Sequence, residues 1–215
     1  MRRGPGRGAA PGWLRPALGG LLALGLAAGG AGCAGTRPRL FQAESLAWSH
    51  PRVAFLPLEN LSNRPDAAET LSHIFHLELV RTGQCEVVEP GEVDAALSDL
   101  GIRNTGSLST ENLKGLGQRL KVDYVLLGTV LESGTVRTAD ADVPCVGVSL
   151  RLLEVGTARA VWAAMDFRTG EDHETVFGWG REYDPQRLAA ELAAGMFADL
   201  ARLTRAPAGR KEGAR

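Results

Sequence analysis

The stretch 52–63, RVAFLPLENLSN, constrains the fold more than any other part of the chain. Val53, Ala54, Phe55, Leu56 and Leu58 are almost continuously apolar, the pattern of a strand covered on both faces rather than one with a wet side. It has to be central in a sheet. Pro57 cannot donate a ladder hydrogen bond, so it marks where pairing gives way to a turn. The run VDYVLLGTVL over 122–131 has the same character and predicts a second central strand.

The segments between and after these runs alternate in kind. Asp66 followed three residues later by Glu69 reads as a capping box for a helix over 67–82, with Ala68, Leu71, Ile74, Phe75 and Leu79 along its core side and Gly83 as its stop. A short strand over 85–88 (CEVV) follows, then a helix over 91–100 opened by Pro90 and closed by Gly101. Ser109 or Thr110 caps a third helix, in which Leu113, Leu116, Gly117 and Leu120 share one face and Gly117 lets the backbone sit close to the sheet. Runs over 146–155 and 160–168 face each other across a Gly156-Thr157 turn as a hairpin. Asp184 and Pro185 begin a last helix with Leu188, Leu192, Met196, Leu200 and Leu203 on one side. The expected order is β-α-β-α-α-β-β-β-α: an α/β domain over 51–205 with a mixed sheet of about five strands and helices packed on it in two or three layers. The first and third strands should be central, with the second on one edge and the hairpin on the other.

Ahead of this domain, residues 1–32 have the build of a secretory signal: an arginine-bearing start, an apolar run over 17–31 diluted by five glycines, and small residues before Cys33. The run is shorter than the ~20 residues a spanning helix needs. Gly30-Ala31-Gly32-Cys33 resembles the lipobox of bacterial lipoproteins, with Gly30 where that motif usually has a leucine. The resemblance implies that Cys33 is acylated and becomes the first residue of the mature chain. At ~0.8 kcal/mol per buried methylene, several acyl chains make a durable anchor. Ala34 stands where aspartate would signal inner-membrane retention, so the implied address is the outer membrane, periplasmic face. Residues 34–50 read as a tether of at most about 60 Å. Residues 206–215 read as a disordered tail.

Charge removes one class of partner. Of 24 basic residues, four (Arg2, Arg3, Arg7 and Arg15) lie in the signal, which leaves 20 against 25 acids and a net charge of −5. A polyanion is repelled on average, and no basic stripe with interleaved aromatics offsets this, so nucleic acid is set aside.

VAFLPLENLS, CEVVEP and above all LGQRLKVDYVLLGTV resemble the periplasmic lipoprotein domain shared by the curli secretion protein CsgG and the penicillin-binding-protein activator LpoB. The resemblance covers about 52–204 and implies an anticodon-binding or TolB N-terminal-like fold. It also implies work by assembly: building a pore, or activating an envelope enzyme. A pore needs membrane-crossing strands of ~9–11 alternating residues. Residues 132–144 are too short and too charged to supply two, and 166–183 carries Arg168, Glu171, Asp172, His173 and Glu174 in its middle. The expectation is a non-enzymatic envelope subunit that needs no cofactor and works through an envelope protein partner or self-association.

Four groups of residues are candidates for sites. Phe177, Trp179 and Tyr183, on a loop before the last helix that reads as mobile, are candidate partner-binding aromatics; tryptophan anchors interfaces but is also usually well buried. Asn60, Ser62, Asn63 and Arg64 end the first strand, where open α/β sheets place ligands; such residues also form local turns. Glu69, His73 and His76 share one helix face and are the one weak metal-ligand candidate, the basis of an alternative reading as a periplasmic hydrolase or metal-dependent enzyme. Without a further ligand, such a face is more often solvated. Cys85 and Cys145 begin strands three ladder steps apart in the expected sheet order, roughly 14 Å at ~4.8 Å per step, and so should be unpaired.

Overall fold

The computed structural model describes residues 39–42, 50–138, 141–175 and 179–205, all within one compact unit, Arg37–Arg215. The expected signal, Cys33, Phe177 and the tail lie outside the described residues. The elements in chain order are β1 (Arg39–Gln42), β2 (Arg52–Phe55), β3 (Glu59–Asn60), α1 (Ala67–Arg81), β4 (Glu86–Val87), α2 (Pro90–Asp99), α3 (Thr110–Leu120), β5 (Tyr124–Arg137), β6 (Asp142–Glu154), β7 (Arg159–Thr169) and α4 (Pro185–Arg205).

The strands form one mixed sheet in the order β1-β7-β6-β5-β2-β4, with β3 continuing beside β5. β2 lies parallel to both β4 and β5, and Phe55 is registered on Leu126. The two apolar runs are therefore neighbours in the interior of the sheet. Their continuous apolarity has the expected cause. Val53, Phe55 and Leu126 point to one face, into a core shared with α1 and α4; Ala54, Leu56, Val125 and Leu127 point to the other, against α2 and α3. The domain thus has three layers. Phe75 of α1 meets Phe197 of α4 edge to face, with ring centroids 6.0 Å apart, and ties the two helices of the first layer together.

Local signals account for the helix ends. The Ser109 hydroxyl accepts from the Asn112 amide at 3.1 Å and caps α3. Gly83 and Gly101 adopt positive φ after α1 and α2. At Gly117 a Cβ would fall 2.2 Å from Val155 Cγ1, so the close approach of α3 to the sheet depends on its absence. The capping box is not made: Asp66 already has right-handed helical φ and ψ, and its carboxylate pairs with Arg64 instead of an α1 amide.

Three further differences share one physical origin, that backbone pairing needs no apolar signature. Arg39–Gln42, inside the segment expected to be a tether, pairs antiparallel with β7. The hairpin of β6 and β7 is therefore flanked by a further strand, not at the edge. Residues 132–138 and 141–144, outside the expected strands, continue β5 and β6 as a paired hairpin with Arg137 opposite Asp142. Because Val130 sits opposite Val148 while Glu132 sits opposite Gly147, Leu131 is an extra residue, a bulge that turns the ribbon away from the core.

Candidate functional site

The loop between β7 and α4 is held by charge. The Arg181 side chain, almost wholly buried, donates to Glu174 Oε2 at 2.8 Å and Oε1 at 3.2 Å, and its Nη2 lies 3.5 Å from Glu171. This is a two-pronged guanidinium-carboxylate pair, the geometry that fixes orientation best. The Trp179 carbonyl accepts from both the amide and the hydroxyl of Thr175, and Gly180, at φ 91°, packs where a Cβ would sit 2.4 Å from the His173 carbonyl. The Glu182 amide donates to Gly170, closing the loop at its base. Sequence reasoning took this loop as mobile, but its described part is stapled. What it presents is apolar: Trp179 is 78% exposed and Tyr183 59% exposed.

The turn after β3 leads into α1. Asn60 is fully engaged there. Its amide nitrogen donates to the carbonyls of Arg64 and Pro65, and its oxygen accepts from the amide and hydroxyl of Ser62. This is a local Asx arrangement that turns the chain into α1. Asn63 is exposed beside it. A shallow groove brings Arg64, Asp66 and Thr70 of this region next to Gly134 of the hairpin and Pro185 at the start of α4. The groove thus sets Arg64, from one candidate group, beside the start of α4, which follows the loop that carries the other.

The histidine face of α1 is not simply solvated. Glu69, His73 and His76 line one wall of a crevice of about 370 Å³, with Asp94 of α2 across from them and Phe55 and Leu58 below. His76 lies against Phe55, ring centroids 6.4 Å apart. Among the described residues no three His, Cys, Asp or Glu side chains converge on a point that could hold a metal. The two ring nitrogens and the carboxylate share a wall without forming a ligand set.

Cys85 and Cys145 are buried and free, separated by β2 and β5 as the strand order requires. Burial pushes the Cys85 thiol up to about 11 and raises that of Cys145, where the Glu132 charge adds to it. Neither presents a reactive thiolate at neutral pH. Sequence reasoning missed Asp166, which is 4% exposed beneath α4. It accepts from the Phe167 amide at 2.9 Å and lies 3.5 Å from Arg168 Nε. Burial still raises its carboxyl above the ordinary value, because these two partners offset only part of the lost hydration.

The chain has the architecture of a mixed α/β domain with solved counterparts, at least one of them a lipoprotein. No protein-family model and no curated protein matches it. The PelC dodecamer from Paraburkholderia phytofirmans is 23% identical, with a TM-score of 0.50 over 76% of this chain and 97% of its own. Lipoprotein GNA1162 from Neisseria meningitidis is 17% identical, with a TM-score of 0.51 over 70% of this chain and 98% of its own. The C-terminal domain of LpoB from Escherichia coli is 16% identical, with a TM-score of 0.44 over 59% of this chain and 87% of its own. At these identities the likeness is one of fold.

Proposed function

We propose that this chain is a non-enzymatic, lipid-anchored protein of the outer membrane's periplasmic face, acting as an assembly or activator subunit of the CsgG and LpoB kind. Its domain makes protein-protein contacts, with another envelope protein or with copies of itself. The observation that carries this reading is Trp179. A forked Arg181 pair with Glu174 is buried in order to hold an indole in water, which serves no purpose in the isolated chain and suits an interface anchor. Support for the address comes from Cys33 and the small residues before it, and from a fold counterpart that is itself a lipoprotein. Support for self-association comes from a counterpart that is a dodecamer. A membrane pore fits less well. The part of β5 that leaves the core is its last seven residues, fewer than the ~9–11 of a crossing strand.

Two measurements test the reading separately. Mass spectrometry of the exported protein should show an acylated Cys33, with signal removed, and Cys33→Ser should release the protein from membranes; an unmodified thiol would overturn the address. A photocrosslinker in place of Trp179, activated in intact cells, should trap one envelope protein or a second copy. A clean monomer would overturn the contact role.

A further inference from the structure

β2 and β4 are neighbouring parallel strands, yet the helices that follow them lie on opposite faces: α1 after β2 on one, α2 after β4 on the other. At such a switch point the carboxyl ends of the strands open into a crevice between diverging helices. Here β4 stops after two residues, so the crevice is open above the sheet edge. Its volume of about 370 Å³ falls in the small-ligand range.

The lining is divided in chemistry. The floor is apolar, with Phe55, Leu58 and Val93 all buried. One wall is the polar stripe of α1, Glu69, His73 and His76, and the facing side carries Asp94. Among the described residues no lysine or arginine lines it, and its two acidic side chains are Glu69 and Asp94. Ser72 is already committed, accepting from the Leu58 amide at 2.9 Å and donating to the Ala68 carbonyl at 2.6 Å, which fixes the floor against α1. His76 is not: its Nε2 is buried and has no hydrogen-bond partner in the protein. A buried polar atom without a partner is rare in a folded domain and calls for one from outside.

We propose that this crevice binds an organic cation, a primary ammonium on an apolar or aromatic stem. The stem lies on Phe55, Leu58 and Val93. The ammonium donates to Nε2 of His76 and sits between the carboxylates of Glu69 and Asp94, which offset its charge. The same geometry disfavours an anion of equal size, whose head would meet two carboxylates.

The test uses the full ¹⁵N-labelled chain titrated with phenethylammonium, and with phenylacetate as a ring of opposite charge. Phenethylammonium should give saturable amide shifts at Phe55, Ser72, His76 and Val93, with phenylacetate at least tenfold weaker. Glu69→Gln with Asp94→Asn should weaken the amine at least tenfold while leaving the rest of the spectrum in place, and His76→Phe should weaken it without enhancing the anion. The spectrum itself reports whether each variant is folded. Absence of saturable shifts, equal binding of the two probes, or an amine affinity unchanged in the double variant would each overturn the proposal.

Discussion

β5 belongs to two different regions, and the change between them falls at one residue. From Tyr124 to Val130 it lies between helices on both faces and all but Thr129 are buried; from Leu131 to Arg137 every residue is at least partly exposed. The first region is packed on both faces; the second is held by pairing with β6, whose Val143, Cys145 and Val146 are buried opposite it. Of the ten large hydrophobic side chains left exposed among the described residues, six lie in the second region or its surroundings: Leu61, Leu131, Val136, Phe167, Trp179 and Tyr183. Apolar side chains that take no part in the core and lie at one end are the surface on which the proposed contacts would form. On the proposed reading, stability and contact-making are separable along a single strand.

The largest effects should come from the covered region. Phe75 is fully buried against Phe197, and Phe75→Ala should destabilise the domain by ~3–5 kcal/mol in urea unfolding. Next is Gly128, in the middle of β5, where a Cβ would lie 2.5 Å from the Ser149 carbonyl oxygen and 2.5 Å from Leu150 Cδ2. Backbone cannot give way as a side chain can, so Gly128→Ala should lower stability by ~1–3 kcal/mol. If either substitution left the urea midpoint where it was, the division into a structural and a working region would fail.

Burial is also what made one region legible from sequence and the other not. The apolar runs around Phe55 and Leu126 announce central strands because covered strands must be apolar on both sides, and Gly117 could be read as a packing glycine from its place in the Leu113–Leu120 face. The edge strand Arg39–Gln42 and the outer hairpin carry no such pattern, since their hydrogen bonds are made by backbone atoms common to all residues. Of the candidate site residues, Trp179 could be named from its flanking glycines, but its exposure could not: that depends on Arg181 reaching Glu174, seven residues back. The crevice at His76 was half visible. Glu69, His73 and His76 share a face by helical spacing, while Asp94 joins them only through the sheet order that places α2 opposite α1.

A smaller effect is expected at the boundary, and it depends on pH. Asp166 is buried beneath α4, and its carboxyl is raised in the folded state above the ordinary 3.8, chiefly by lost hydration. Between those two values the folded chain holds a proton that the unfolded chain has released. The contribution of Asp166 to stability is therefore fully present below the ordinary value and is lost as pH rises through the raised one. Asp166→Asn keeps the shape and removes the titration. Urea midpoints measured from pH 3 to pH 7 should thus fall more steeply, or rise less, in the parent than in the variant. Two parallel curves would show that the Asp166 carboxyl is not perturbed and that the boundary is as wet as the outer hairpin.

The smallest effect on stability should come from the most exposed aromatic. Trp179 buries little, and its structural contribution to the loop is its carbonyl, which Trp179→Ala retains. The variant should unfold within about 0.5 kcal/mol of the parent, as substitutions away from packed or charged features do. Intact-cell crosslinking, introduced at Tyr183 so that the probe is independent of the indole, should then lose most of its yield. The two readouts together are what separate the regions: Phe75→Ala moves the first, Trp179→Ala only the second. A Trp179→Ala variant that unfolds early would mean the indole is a structural part of the loop. One that keeps full crosslinking would place the contact elsewhere on this end of the sheet, among Leu61, Val136 and Phe167.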